Sequence, residues 1–233
     1  MLKRLSWAIL VGAASLAAAQ PVHARGDLPA RFPAAGVALH ALVVRAQPSP
    51  AARIVRRMPR FRDDFQFQIV LALSKRRGSD GEWWYRLSLP GRPNGRRGWV
   101  QSDAVDVTAV KNRIVVRLGM RRIEVQRIRD RKVLLRGTVA VGRRGAETPL
   151  GRDYYVRSAF VPTDPFFGTF ALETSAASRL TDWPDHGIVG IHGTNQPQLL
   201  GQAVSHGCVR VDNTVATRLR ALAPLGTPID ILP

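Results

Sequence analysis

Two stretches of strict alternation constrain this chain most. Phe65, Phe67, Ile69, Leu71 and Leu73 occupy every second position, with Gln66, Gln68 and Ser74 among the residues between them. Trp83, Tyr85, Leu87 and Leu89 repeat the pattern, with Arg86 and Ser88 between. A period of two places each set on one face of a strand. Both sets are therefore expected to fill the interior of a small β unit. Turn signals separate the runs: Arg77-Gly78-Ser79-Asp80-Gly81 between them, and Pro90-Gly91-Arg92-Pro93-Asn94-Gly95 before Gly98-Trp99-Val100. Short strands alternating with such turns from Gly36 to Val107 predict a small all-β barrel.

The segment before it, residues 25–35, carries Gly26, Pro29 and Pro33 with no periodicity and reads as a flexible leader. Residues 108–111 form a short linker to a second β-rich domain over 112–233. That domain opens on three antiparallel runs, 113–118, 122–128 and 132–141, and continues with strands at 154–158, 169–172 and 188–191. Asp182 to Gly187 and Thr194 to Val204 have turn residues and no clean period, so both are expected to be loops. Asp212 or Asn213 caps a helix over 214–223, in which Val215, Leu219 and Leu222 share a face. Pro224 and Gly226 end it, and 227–232 returns as a closing strand.

At the N-terminus, Met1-Leu2-Lys3-Arg4 precedes an apolar run that ends in small residues. This is the pattern of a secretory signal peptide over residues 1–24, with cleavage after Ala24 preferred to cleavage after Ala19 because Pro21 ends the apolar helix first. The run is short for a span, so no stable membrane span is expected after cleavage. The formal charge of +18 is spread over both halves, 16 Lys/Arg against 7 Asp/Glu in 25–111 and 17 against 10 in 112–233. An even basic field attracts polyanions at long range and specifies no site. In an exported protein it points to anionic wall polymers rather than nucleic acid.

The candidate chemistry is concentrated in Ile191-His192-Gly193-Thr194 and Ser205-His206-Gly207-Cys208-Val209-Arg210. Cys208 is the single cysteine of 233 residues, so no intramolecular disulfide forms. The thiolate is the reactive form, and a free cysteine with a pKa near ~8.5 needs an imidazole, a cation or a helix N-terminus to reach it. His192, His206 and Arg210 are the candidates. Gly207 permits a sharp turn before the sulfur, with the N–H groups of Gly207 and Cys208 available to one oxyanion. Gly193 allows a close backbone approach to the His192 ring.

This two-block pattern resembles the signature of the L,D-transpeptidases that cross-link bacterial peptidoglycan, and the similarity runs from about Asn112 to Pro233. The resemblance implies Cys208 as the acylated nucleophile and His192 as the general base. It implies a Gly193 carbonyl orienting the imidazole, Gly207 and Cys208 N–H groups facing the oxyanion, and His206 as a second, structural or positioning imidazole. Arg210 departs from members that carry Asn at this position. Arg210, Ser205, Thr194 and Phe167 are expected at the substrate. The partners implied are donor and acceptor peptidoglycan stem peptides, with no cofactor and no metal. Val43 to Ser49, Glu82-Trp83-Trp84-Tyr85-Arg86 and Gly98-Trp99-Val100 resemble a bacterial SH3-like domain, whose exposed Trp84 or Trp99 would contact the wall unless both are core. The expected chain is mainly β: a small SH3-like β-barrel, then an L,D-transpeptidase-type β-sandwich with one C-terminal helix, exported to the periplasm or cell wall.

Other readings compete. An L,D-carboxypeptidase shares the same acyl-enzyme. A non-catalytic wall-binding protein would keep both domains without needing Cys208. A secreted binder of nucleic acid or anionic surfaces would rest on charge alone, and its binding would fall steeply with salt without involving Cys208. His192, His206 and Cys208 as three zinc ligands are disfavoured by the lack of a second cysteine.

Overall fold

A computed structural model of the chain describes residues 32–180 and 187–233. The expected signal peptide, the leader up to residue 31, and residues 181–186 of the loop before Ile188 lie outside the described residues. The described chain is mainly β, with one α-helix.

Strands β1 (Ala34–Ala38), β2 (Leu42–Arg45), β3 (Ile54–Met58), β4 (Ile69–Arg77), β5 (Trp83–Ser88), β6 (Arg97–Gln101) and β7 (Val105–Ala109) form one sheet in the order β3-β2-β6-β5-β4-β1-β7. The leader ends earlier than residue 35. Ala34 is fully buried and pairs with both Ala72 and Ala109. The small residues of Ala34-Ala35-Gly36, which show no apolar period, are what allow this strand to lie between two neighbours. A Cβ at Gly36 would stand only 2.6 Å from Val105 Cγ1.

The alternation in β4 is real, but the face it marks is not the interior of this unit. Val70 and Ala72 pack with Leu42, Tyr85 and Leu87 in the N-terminal core, whereas Ile69 and Leu71 meet Tyr155 of the second unit. Both faces of this strand are apolar, so a period of two identifies the two faces without saying what covers each. Phe65 and Phe67 join neither core, being 87% and 45% exposed in the loop before β4. Tyr85, Leu87 and Leu89 do turn inward. Trp84 is core as well: it is 2% exposed, and its indole N–H donates to Asp80 at 3.1 Å, so it is not available to a ligand. Trp99 is half-buried.

The second unit contains β8 (Asn112–Arg117), β9 (Arg122–Arg127), β10 (Val133–Gly142), β11 (Gly151–Phe160), β12 (Ala171–Ala177), β13 (Ile188–His192), β14 (Ala203–Ser205), β15 (Val209–Val211) and β16 (Pro228–Leu232). Their order is β14-β10-β15-β13-β12-β11-β16-β8-β9, and β10 also pairs with β9. β10 therefore pairs with β9 at one end and with β15 at the other, and joins the two layers around a core that includes Ile114, Val125, Val139, Val156, Leu172, Ile191 and Ile229. Helix α1 (Asn213–Leu222) is capped by the Asp212 carboxylate, which accepts from the Thr214 N–H at 2.8 Å. It buries Ala216 and Leu219 in this core, with Val215 and Leu222 packed at its edge.

The two units are docked, not strung on a linker. The side-chain amide of Asn94 bonds both backbone groups of Ala177, donating to its carbonyl at 2.7 Å and accepting its N–H at 2.9 Å. Arg92 donates to the Ser178 carbonyl at 2.9 Å, and Arg62 pairs with Glu173 at 2.6 Å. Among the described residues no helix is long and apolar enough to cross a membrane.

Candidate active site

Strand pairing brings together the two blocks of the motif. β13 ends on His192, β15 begins just after Cys208, and the two run parallel with Ile191 opposite Val209 and His192 opposite Arg210. Gly190, on β13, donates its N–H to Cys208 Sγ at 3.3 Å. A Cβ at Gly190 would stand 3.7 Å from that sulfur and 3.8 Å from His192 Cδ2. The thiol and the imidazole thus flank one point on the strand, and the missing side chain keeps it open.

His192 is 3% exposed, and its Nδ1 lies 2.6 Å from the Gly193 carbonyl oxygen. A carbonyl only accepts, so Nδ1 carries the hydrogen and Nε2 keeps a lone pair for an incoming proton. Phe167 meets the ring edge-on, with centroids 5.0 Å apart, and Phe166 stands at 6.3 Å. Burial pulls the imidazole down to about 4, with the Gly193 carbonyl opposing and Arg210 adding to the fall. Burial likewise pushes the Cys208 thiol up, against the Gly190 N–H and the Arg210 charge. The resting pair is therefore a neutral thiol beside a neutral imidazole. Desolvation disfavours both charged forms.

The turn before the sulfur needs its glycine: Gly207 sits at φ +117, a conformation that disfavours a side chain, and a Cβ there would approach Ser178 Cβ to 3.1 Å. Ser205, 1% exposed, braces this turn instead of facing substrate. Its hydroxyl donates to the Cys208 carbonyl at 2.6 Å and accepts the Gly207 N–H at 3.2 Å. The expected Gly207 oxyanion donor is thus already engaged, because the chain must satisfy its buried amide locally. Thr148 completes the brace, donating to the Gly207 carbonyl at 2.9 Å and accepting the Gly142 N–H at 2.9 Å.

Thr194 is also structural. It is 2% exposed, its hydroxyl accepts the Gln196 N–H at 3.0 Å, and both its backbone groups bond Asn213. Asn213 accepts from the Thr169 and Thr194 N–H groups at 3.2 and 3.1 Å and donates to the Thr194 carbonyl at 3.1 Å. A Cβ at Gly193 would lie 2.2 Å from its Oδ1, so this glycine is required by close packing. Asn213 ties the backbone just after the catalytic candidate to Thr169, and only its place beside a helix cap marked it in the sequence. Thr148 and Gly190 carried no signal except membership of a turn and a strand.

Arg210 is 7% exposed, donates to Gln196 Oε1 at 3.2 Å and lies 4.6 Å above the Phe166 ring. Among the described residues no carboxylate pairs with it. His206 is half-buried, its imidazole held below the usual range by burial and by the Arg143 and Arg210 charges. A cleft of about 940 Å³, lined by Arg92, Asn94, Thr148, Pro149 and Ser178 among others, reaches this turn from the side of the N-terminal unit. Among the described residues no three His, Cys, Asp or Glu side chains gather as metal ligands.

Comparison with known proteins bears on the same half of the chain. The putative L,D-transpeptidase YkuD of Bacillus subtilis is 33% identical over 102 residues, 44% of this chain and 56% of that protein. The putative L,D-transpeptidase YkuD of Bacillus licheniformis is 36% identical over 121 residues, 52% of this chain and 66% of that protein. The chain thus spans just over half to about two thirds of the length of these relatives. Among solved structures, L,D-transpeptidase 3 from Mycobacterium tuberculosis in complex with a faropenem-derived adduct covers 84% of this chain and 98% of its own, at 14% identity and a TM-score of 0.46. The YkuD family, described as the L,D-transpeptidase catalytic domain, matches residues 111–231, which hold both blocks of the motif and every strand of the second unit from β8 through β15. This chain belongs to the YkuD family of L,D-transpeptidase catalytic domains.

Proposed function

We propose that this protein is a peptidoglycan L,D-transpeptidase in which Cys208 is the nucleophile and His192 the base. One observation carries the reading: a thiol and an imidazole flank Gly190, and the Gly193 carbonyl at 2.6 Å fixes the tautomer that leaves Nε2 as acceptor. In the first step Nε2 takes the thiol proton as sulfur bonds to the carbonyl carbon that joins the third, L-centred residue of a donor stem to its terminal D-alanine. The tetrahedral oxyanion is met by the Cys208 N–H, since the Gly207 N–H is held by Ser205. The C–N bond then breaks, His192 returns its proton to the leaving amine, and D-alanine departs from a thioester. A side-chain amine of an acceptor stem attacks that thioester, gives its proton to His192, and the thiolate leaves to be reprotonated.

A neutral imidazole is the base form, and the Arg210 charge favours the thiolate as it develops, against the burial that disfavours both charged forms. Phe167, edge-on to His192 and 38% exposed, would contact the donor stem. Attack by water on the same thioester would make the enzyme a carboxypeptidase, and exclusion of water from the acceptor side decides between the two. The reading places the protein outside the cytoplasm, exported by the segment over residues 1–24. It assigns residues 36–107 to an SH3-like unit on the anionic wall, and the strongly basic charge of the chain supports that placement.

The test is covalent. Purified protein is incubated with a tetrapeptide stem or a carbapenem, and the adduct is located by intact mass and peptide mapping. A thioacyl adduct on Cys208 that His192→Asn slows strongly is the expected result. No adduct on Cys208 under reducing conditions would refute the assignment.

A further inference from the structure

The contact between the two units encloses more positive charge than it neutralises. Arg56, on β3, and Arg96, just before β6, flank the Pro90 turn, and Arg62 reaches across from the loop before β4. On the other side Tyr155 and Arg157 stand two residues apart on β11, whose pairing with β12 shifts register between Val156 and Ser158, and Glu173 lies on the adjacent strand β12. Glu173 pairs with Arg62 at 2.6 Å and with Arg157 at 3.0 Å, and Asp64 touches Arg62 at 3.2 Å from the solvent side. Four guanidinium groups therefore meet two carboxylates. Arg62 Nη1, Arg96 Nε, Arg157 Nε and the hydroxyl of the fully buried Tyr155 are all buried and have no hydrogen-bond partner. Glu173 Oε1 sits in the ion pair with Arg157 Nη1 at 3.0 Å and accepts no well-aligned hydrogen bond. Buried donors without acceptors are costly and rare in folded proteins.

We propose that Arg56, Arg62, Arg96, Tyr155, Arg157 and Glu173 form a binding site for inorganic phosphate at the contact between the two units. The four donors without partners equal in number the oxygens of a tetrahedral anion, and guanidinium groups hold such oxygens with charge-assisted bonds. The Tyr155 hydroxyl keeps its proton, burial pushing it up to about 12 despite the nearby arginines, so it stays a donor. The Glu173 carboxylate separates phosphate from sulfate. Phosphate near neutral pH still carries an O–H, which donates to the remaining lone pair of Glu173 Oε1 beside its ion pair with Arg157, whereas sulfate has none and would set oxygen against oxygen. Because the site takes groups from both units, a bound phosphate tightens their docking.

The test uses the full chain, independent of any catalytic readout. Thermal unfolding and calorimetric titration are followed against phosphate, sulfate and chloride at matched ionic strength. Phosphate should raise the Tm progressively, and sulfate should bind about tenfold more weakly or less. Tyr155→Phe, which retains the ring packed on Ile69 and Leu71, should weaken phosphate binding about tenfold while the protein still folds. Glu173→Gln, which supplies a donor in place of a carboxylate oxygen, should bring sulfate level with phosphate. Equal effects of phosphate, sulfate and chloride on the wild type, or a phosphate isotherm unchanged in Tyr155→Phe, would overturn the proposal.

Discussion

The depressed His192 imidazole makes stability depend on pH in a way that can be isolated. In the folded protein its pKa is about 4, against 6.5 for the ordinary side chain, with burial the largest cause. At pH 7 the group is neutral in both states and costs nothing. As pH falls through the unfolded value the unfolded chain binds a proton that the folded site refuses, so stability is lost between about pH 6.5 and about pH 4. Each unit of pKa difference corresponds to about 1.4 kcal/mol, so close to 3 kcal/mol should disappear by pH 4. The side chain is 3% exposed, so little of this is screened by solvent. Carboxylates change stability over the same range, and His192→Asn separates them. Asparagine keeps a donor for the Gly193 carbonyl and does not titrate. Urea unfolding from pH 7 to pH 4 should therefore show wild type losing about 3 kcal/mol more than the variant. Parallel curves for the two proteins, or a His192 ring titrating near 6.5 by NMR in the folded state, would refute the reasoning.

Two substitutions test the framework around the site. Asn213→Ala strands the Thr169 and Thr194 N–H groups, and should lower stability by about 2–4 kcal/mol and slow acylation of Cys208 at least about tenfold, as read by urea melts and adduct mass. An unchanged acylation rate would show that the Gly193 carbonyl does not depend on this clamp. Asn94→Ala removes both bonds to Ala177, and should cost about 2 kcal/mol and raise hydrogen exchange at the Ala177 amide. If exchange there stays at the wild-type level, the docked turn is held by Arg92, by the Gly91 N–H on the Ser175 carbonyl and by apolar contact.

Much of this protein was written locally. His192 and Cys208 stood out because two blocks of fixed identity are rare, and the helix was legible because Asp212 caps a run with one apolar face. Turn residues located most strand ends, since glycine and proline act on their own backbone. Errors arose where a second partner decided the outcome. Ser205 and Thr194 looked like substrate ligands, but the turn and Asn213 consume their hydrogen-bonding groups. Trp84 could be core or wall-facing on sequence alone, and it is core.

By itself, the sequence determined which residues could react, which segments must be strands and where the helix begins, because those follow from covalent chemistry, side-chain alternation and caps. Only the tertiary structure decided that Ile69 and Leu71 face Tyr155 while Val70 and Ala72 form the N-terminal core, and that thiol and imidazole are both neutral at rest. The direction of an apolar face and the charge of a buried group depend on what is packed against them, and those neighbours come from distant parts of the chain.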